Sequence, residues 1–158
     1  MPKAHTMSLL LDHVSTGLHQ RANQALQEQL GIGMTQLVIM RALRHGKGIT
    51  QRQMATQLSQ TEAAISRQIK LLQEKRLIAT KVNALSKRER LSMLTPKGEQ
   101  LAVAAEELLE KYTNQAFAGV AHKKQRQMLE ALEALHAQVC RAGVGECEHT
   151  FTSLYGQK

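Results

Sequence analysis

The residues whose types and spacing could do chemistry lie together in QTEAAISRQIKLLQEKRLI, Gln60 to Ile78. Ile65, Ile69 and Leu72 recur at helical spacing and make one side of this stretch apolar. The other side carries Glu62, Ala63, Ser66, Arg67 and Lys70, with Gln60 and Thr61 just before it. Hydroxyls, amides and long cations of this kind bond base edges and phosphates, and Ala63 is small enough to approach a thymine methyl. A polar face can also be no more than the solvated side of an amphipathic helix, so its neighbours must decide. Bond-making chemistry finds no comparable support. The chain has no phosphate-cradling Gly loop, no H-E-x-x-H and no G-x-S-x-G, and its acids are not paired in any cleft segment. We expect no enzyme and no cofactor.

Two neighbours bear on the question. The preceding short helix begins TQRQ, which offers Gln51, Arg52 and free N–H groups to a phosphate. The following hairpin is basic, with Lys81 in its first strand and Lys87, Arg88 and Arg90 around its tip. A basic hairpin beside such a helix has the form of a wing, whose arginine would enter a narrow A·T minor groove.

The charge is placed accordingly. The formal net charge is +8. Nine Lys/Arg stand against three acids between Thr50 and Thr95, five against two in residues 1–49, and seven against eight in residues 96–158. A localised basic region implies a polyanionic partner; taken alone it fits a membrane surface as well. No run of 18 apolar residues spans a bilayer, and the N-terminus lacks a signal-peptide h-region. We therefore expect a cytoplasmic protein. Cys140 and Cys147 are too few to staple a scaffold. With His149 they form a C-x6-C-x-H set that lacks the usual zinc spacing and a fourth ligand, so no metal is expected. Arg141 would lower the pKa of Cys140, which leaves an oxidant-sensing use of Cys140 and Cys147 as an alternative to two inert thiols.

The elements that must position these residues follow from periodicity. Apolar residues are 42% and aromatics 3%, with no Trp, so the core must be aliphatic. Two prolines and abundant Leu, Ala, Gln, Glu and Lys point to a mostly helical chain. A first helix is predicted over residues 8–30, with Leu11, Val14, Leu18, Ala22, Ala25 and Leu30 in its stripe and Gly31 as its stop. A second starts near Thr35 and carries Leu37, Ile39, Met40 and Leu43. Thr50 caps a third around Met54, Ala55 and Leu58, and Thr61 caps the quoted one; two short helices joined by a tight turn are a helix-turn-helix. Strands are predicted at 77–82 and 90–94. Thr95-Pro96 opens a long helix to about Gly119, striped by Leu101, Ala105, Leu108, Tyr112, Phe117 and Val120. A last helix, 123–141, carries Met128, Leu132, Leu135 and Val139.

This is a mostly α fold with a small β-hairpin wing: a winged helix-turn-helix flanked by terminal dimerisation helices. The expected division is an N-terminal dimerisation helix (1–33), the winged lobe (34–95), C-terminal long helices (96–142) and a tail (143–158). The terminal helices have more apolar stripe than the central module can cover, so a symmetric homodimer is expected.

GMTQLVIMRAL, ITQRQMATQLSQTEAAISRQIKLL, RLI and SKRERLSMLTPKG together resemble the MarR-type winged-helix transcriptional regulators, from about Gly33 to Gly98. That family usually has Asp-x-Arg in the wing, with Leu-Thr eight and nine positions after the Asp; here Ser86-Lys87-Arg88 precedes Leu94-Thr95 at that spacing. The resemblance places Arg88 on the wing arginine, Ser86 where an aspartate would brace it, and Ser66-Arg67 on the Ser/Thr-Arg pair of the reading helix. Arg76 falls where the family has Gly. Either the turn takes another geometry, or it holds Arg in a left-handed conformation at a cost of about 1 kcal/mol. The resemblance further implies homodimers on pseudo-palindromic double-stranded operators that usually repress; many are released by small aromatic or phenolic ligands, some by oxidants or metals. The implied ligand crevice involves the first, second and fifth helices, where His13, His19, Met40 and Arg41 are the candidate effector contacts. A winged helix used for protein–protein contact is the alternative from another class.

Overall fold

The computed structural model describes residues 3–44, 48–84, 86 and 89–141. Six helices and three short strands follow one another as α1 (Ala4–Leu30), α2 (Met34–Arg44), β1 (Ile49–Thr50), α3 (Gln51–Gln57), α4 (Glu62–Glu74), β2 (Ile78–Val82), β3 (Arg90–Leu94), α5 (Pro96–Phe117) and α6 (His122–Arg141). The architecture is mostly α with a small antiparallel sheet, as the periodicity predicts. No helix among the described residues is long and apolar enough to cross a membrane.

The core forms where α2, α3, α4 and the start of α5 converge. Leu37, Ile39, Met40, Met54, Ile65, Ile69, Leu72, Leu77 and Ala102 are fully or almost fully buried there, and Leu26 and Ile32 extend it to the end of α1. Aliphatic side chains fill it without an aromatic, as the composition requires. Met40 was expected at an effector crevice; it is instead fully enclosed in this core, because its helical register puts it on the same face as Leu37 and Leu43.

The sheet departs from the sequence reading. A third strand, β1, pairs Ile49 with Ser92 and Thr50 with Leu91, so the order is β1-β3-β2 with β3 in the centre. Two residues carry no periodicity, and this strand exists only because β3 offers it a ladder. In the hairpin, Ile78 faces Leu94 and Val82 faces Arg90. The Asn83 N–H donates to the Glu89 carbonyl at 2.9 Å, and Ser86 bonds back to both ends of the loop through its backbone. Lys87 and Arg88 lie outside the described residues.

Caps define the central helices. Thr50 and Gln53 make a capping box: the Gln53 N–H donates to Thr50 Oγ1 at 3.1 Å and the Thr50 N–H to Gln53 Oε1 at 3.0 Å. At the end of α4 the Leu77 N–H donates to the Leu72 carbonyl and the Arg76 N–H to the Gln73 carbonyl. That is a Schellman ending, completed by the apolar pair Leu72 and Leu77. Arg76 takes the left-handed position with φ 59°, so the turn keeps its geometry and carries the strain. Ser59, between α3 and α4, does the same with φ 50°.

Helix α5 docks onto the lobe at two places. Gly98 sits so close to the Leu77 carbonyl that a Cβ would stand 2.0 Å from its oxygen. From the next residue to two turns further along, Arg44 Nε donates to Glu99 Oε1 at 2.6 Å and its Nη1 to Glu106 Oε2 at 2.7 Å, while Arg41 Nε donates to Glu106 Oε1 at 3.2 Å. The hydrogen bond that Arg44 donates to Glu99, more than the nearby Glu106 charge, raises the Arg44 pKa above the usual arginine value. Arg41 was an effector candidate on sequence grounds; here it belongs to this clamp between α2 and α5.

The terminal helices behave differently from their stripes. Of the six apolar positions predicted to pack along α1, only Ala25 is buried, and Leu11 and Val14 are exposed. Met128, Leu132, Leu135 and Val139 of α6 are all exposed in the single chain.

Two substitutions test this account by thermal unfolding. Arg76→Gly removes left-handed strain of about 1–2 kcal/mol and loses about 0.4–1 kcal/mol to the freer unfolded chain, so a net gain near 1 kcal/mol is expected. Gly98→Ala should cost about 3 kcal/mol or more, because the obstacle is a backbone carbonyl that cannot swing away.

Candidate nucleic-acid interface

The interface begins with a packing fact. Ile65, Ile69 and Leu72 are buried under α4, and the remaining circumference of the helix is thereby turned outward. Gln60, Thr61, Glu62, Ala63, Ser66, Arg67 and Lys70 are all exposed. Thr61 starts the helix by accepting the Ala64 N–H on its Oγ1 at 3.2 Å, which caps the helix and leaves the hydroxyl O–H able to donate.

Three segments converge beside the start of α4. Thr50, Gln51 and Arg52 from the beginning of α3, Glu62 from α4, and Glu89 and Arg90 from the wing line one groove of about 340 Å³. The structure therefore brings Gln51, Arg52, Glu62 and Arg90 to one place. Glu89 was not anticipated there; its sequence signal, an acid inside a basic hairpin, pointed away from the interface. Asn83 Nδ2 donates to Glu89 Oε2 at 3.1 Å and holds that carboxylate at the wing base. Lys81 is exposed on β2, opposite Leu91. On the other flank of α4, Gln68, Leu71 and Lys75 face Gly31, Gly33 and Thr35 across a second groove of about 400 Å³.

The electrostatics separate two regions. Among the described residues, Arg52, Arg67, Lys70, Lys81 and Arg90 enter no salt bridge, whereas Arg41 and Arg44 are paired with Glu99 and Glu106. Unpaired cations around a protruding helix keep their charge available to a polyanion, and releasing that polyanion's counterions favours binding.

The effector candidates are not gathered. His13 and His19 are exposed on α1, Met40 is core and Arg41 is clamped. None of the four lines the grooves described here. The groove between α1 and α5 is lined instead by Leu18, Ala22, Ala25, Tyr112 and Ala116, with Arg21 and Glu28 at its margin, and measures about 410 Å³. The Cys140 side chain, Cys147 and His149 lie outside the described residues.

The MarR family model matches residues 30–89, from the last residue of α1 to the wing. Over these residues the winged-helix lobe is similar to the MarR family. Solved structures extend the likeness beyond the lobe. The MepR transcription regulator of the Staphylococcus aureus multidrug efflux pump MepA is 25% identical, with a TM-score of 0.72 over 84% of this chain and 97% of that one. The S. aureus MepR–DNA complex gives 26% identity and a TM-score of 0.69, over 83% and 96%. Wild-type apo MarR from E. coli, at 19% identity and a TM-score of 0.72 over 81% and 95%, shares the fold. Among curated proteins, no sequence matches the chain significantly. The coverage, 81–84% of this chain, carries the likeness beyond the lobe into the flanking helices.

Thr61→Ala should lower the stability of the MarR-type lobe by about 1 kcal/mol through loss of the cap. Urea unfolding followed by circular dichroism measures this, and an unchanged midpoint would show that the exposed helix end is capped equally well by water.

Proposed function

We propose that the protein is a sequence-specific DNA-binding transcriptional regulator, a repressor whose homodimer sits on a pseudo-palindromic operator. The observation that carries this reading is the outward face of α4, with Ala63, Ser66, Arg67 and Lys70 exposed while Arg52 and Arg90 stand unpaired beside it. Arg67 and Ser66 would reach base edges in the major groove, and Gln60, Thr61, Glu62 and Ala63 the bases met by the start of the helix. Gln51, Arg52 and Lys70 would hold phosphates, and Lys81, Lys87, Arg88 and Arg90 would bring the wing to the minor groove. That MepR has been solved on DNA supports the same use of this fold.

The division of labour follows. Residues 34–95 read DNA, and residues 1–33 and 96–142 form the stem that joins two copies. Two reading helices then serve successive major grooves if they stand about 34 Å apart. Exposed Leu11 and Val14 on α1 and Met128, Leu132, Leu135 and Val139 on α6 are the apolar area that a second copy would cover. A small ligand in the α1–α5 groove would release DNA to the extent that it prefers one separation of the lobes over another. Such a regulator works in the cytoplasm, beside the DNA it controls.

Selection of bound duplexes from a random pool tests the core of this reading. The log of the affinity should fall with the log of salt concentration, by about 0.9 per phosphate neutralised. Binding to proteins with little salt dependence, and to no duplex, would instead favour a protein–protein module. Arg67→Ala should weaken binding to the selected sequence by about 1–3 kcal/mol and relax the preference at one position, whereas Arg52→Ala should weaken all sequences alike and reduce the salt slope by about 1.

A further inference from the structure

Three consecutive carbonyls end the reading helix, those of Lys75, Arg76 and Leu77. Each accepts a hydrogen bond from the first turn of α5 or its cap. Lys97 Nζ donates to the Lys75 carbonyl at 3.1 Å, Thr95 Oγ1 to the Arg76 carbonyl at 2.8 Å, and the Thr95 N–H to the Leu77 carbonyl at 3.0 Å. The same Thr95 oxygen accepts the Gly98 N–H at 3.0 Å and so caps α5. From the other side, the Lys75 ammonium donates to the carbonyl of Gly31, the left-handed residue that ends α1. The end of α1, the end of α4 and the start of α5 therefore share one knot.

Arg76 is at its centre, in a conformation that costs free energy. A strained residue persists where its surroundings over-determine it. Here the amide is held by the Gln73 carbonyl and the carbonyl by the Thr95 hydroxyl. The close seat of Gly98 on Leu77 blocks any approach of α5 toward the turn. A joint of this kind transmits angle. Helix α5 runs 22 residues away from it, about 33 Å at 1.5 Å per residue, so a tilt of about 5° moves the far end by about 3 Å.

We propose that Thr95 is a positioning residue that sets the pitch of α4 against the α5 stem, and through it the separation of the two reading helices in a dimer. The proposal rests on the DNA-binding reading above. A hydroxyl that merely capped α5 would affect stability and leave the separation unchanged.

Thr95→Val removes the hydroxyl at nearly constant volume, and Thr95→Ser keeps it. Both are compared on duplexes that carry one pair of half-sites at varied spacing. The unmodified protein should prefer one spacing. The Val variant should lose at least about fivefold of that discrimination, keep its base preference within each half-site, and be rescued by Ser. A Val variant that melts earlier and binds more weakly but keeps the spacing preference overturns the proposal. A second readout needs no DNA: spin labels at Ser66→Cys on α4 and Lys111→Cys on α5, with Cys140 and Cys147 replaced by Ser. The distance distribution should broaden with Val and stay narrow with Ser; an unchanged distribution also overturns the proposal. Should the unmodified protein bind no duplex, the DNA reading fails and the labels still decide the joint. If the Val variant does not fold, Lys97→Met, which removes one of the contacts, is read by the same two measurements.

Discussion

Burial of Ile65, Ile69 and Leu72 beneath α4 is the interaction on which the rest depends. Each isoleucine or leucine removed from water contributes roughly 1.5–3 kcal/mol, enough to fix the rotation of the helix about its own axis. With the rotation fixed, Ser66, Arg67 and Lys70 have nowhere to point but outward. The caps at Thr50 and Thr61 fix where the two short helices start, and the Schellman turn at Arg76 fixes where the second one stops. The exposed polar face is what remains when the apolar side has been satisfied.

Charge is allocated in a complementary way. The acids that could neutralise the cations of the lobe stand mostly on α5, where Glu99 and Glu106 take up Arg41 and Arg44. These pairs are only partly buried, so their energetic value is modest. Their larger effect is on placement: they hold α5 to α2, while Arg52, Arg67, Lys70 and Arg90 enter no salt bridge among the described residues. Thr95 and Gly98 add a second attachment at the root of the same helix. Lobe and stem are therefore joined by short, directional contacts, and a mobile linker is not what separates them.

Much of the arrangement was legible from local signals. Thr50, Thr61 and Thr95 announced helix starts because an N-cap is a property of a few adjacent residues. The stripe of α4 and the hairpin alternation were likewise local. The wing spacing to Leu94-Thr95 and the Ser66-Arg67 pair carried the family resemblance, and the arginine in place of glycine at position 76 was visible as an oddity. Strand β1 was not legible, since two residues contain no period and take their conformation from β3. Nor was the role of LTPKG as a clamp: the spacing that drew attention to it concerned the wing, while its work is done against Lys75, Arg76 and Leu77.

The sequence by itself determined the helices, their caps, the basic centre and the face of α4 that stays polar, because each of these is decided within a few turns of one element. The tertiary structure decided what those residues meet. Met40 became core and Arg41 a clamp, although both sat on a helix that looked available to a ligand: Met40 faces the core with Leu37 and Leu43, and Arg41 meets Glu106, 65 positions away. It also decided that the start of the α1 stripe, at Leu11 and Val14, and the stripe of α6 face outward in a single copy. A hydrophobic period tells which side of a helix seeks cover, and only the packed chain tells whether that cover is supplied from within.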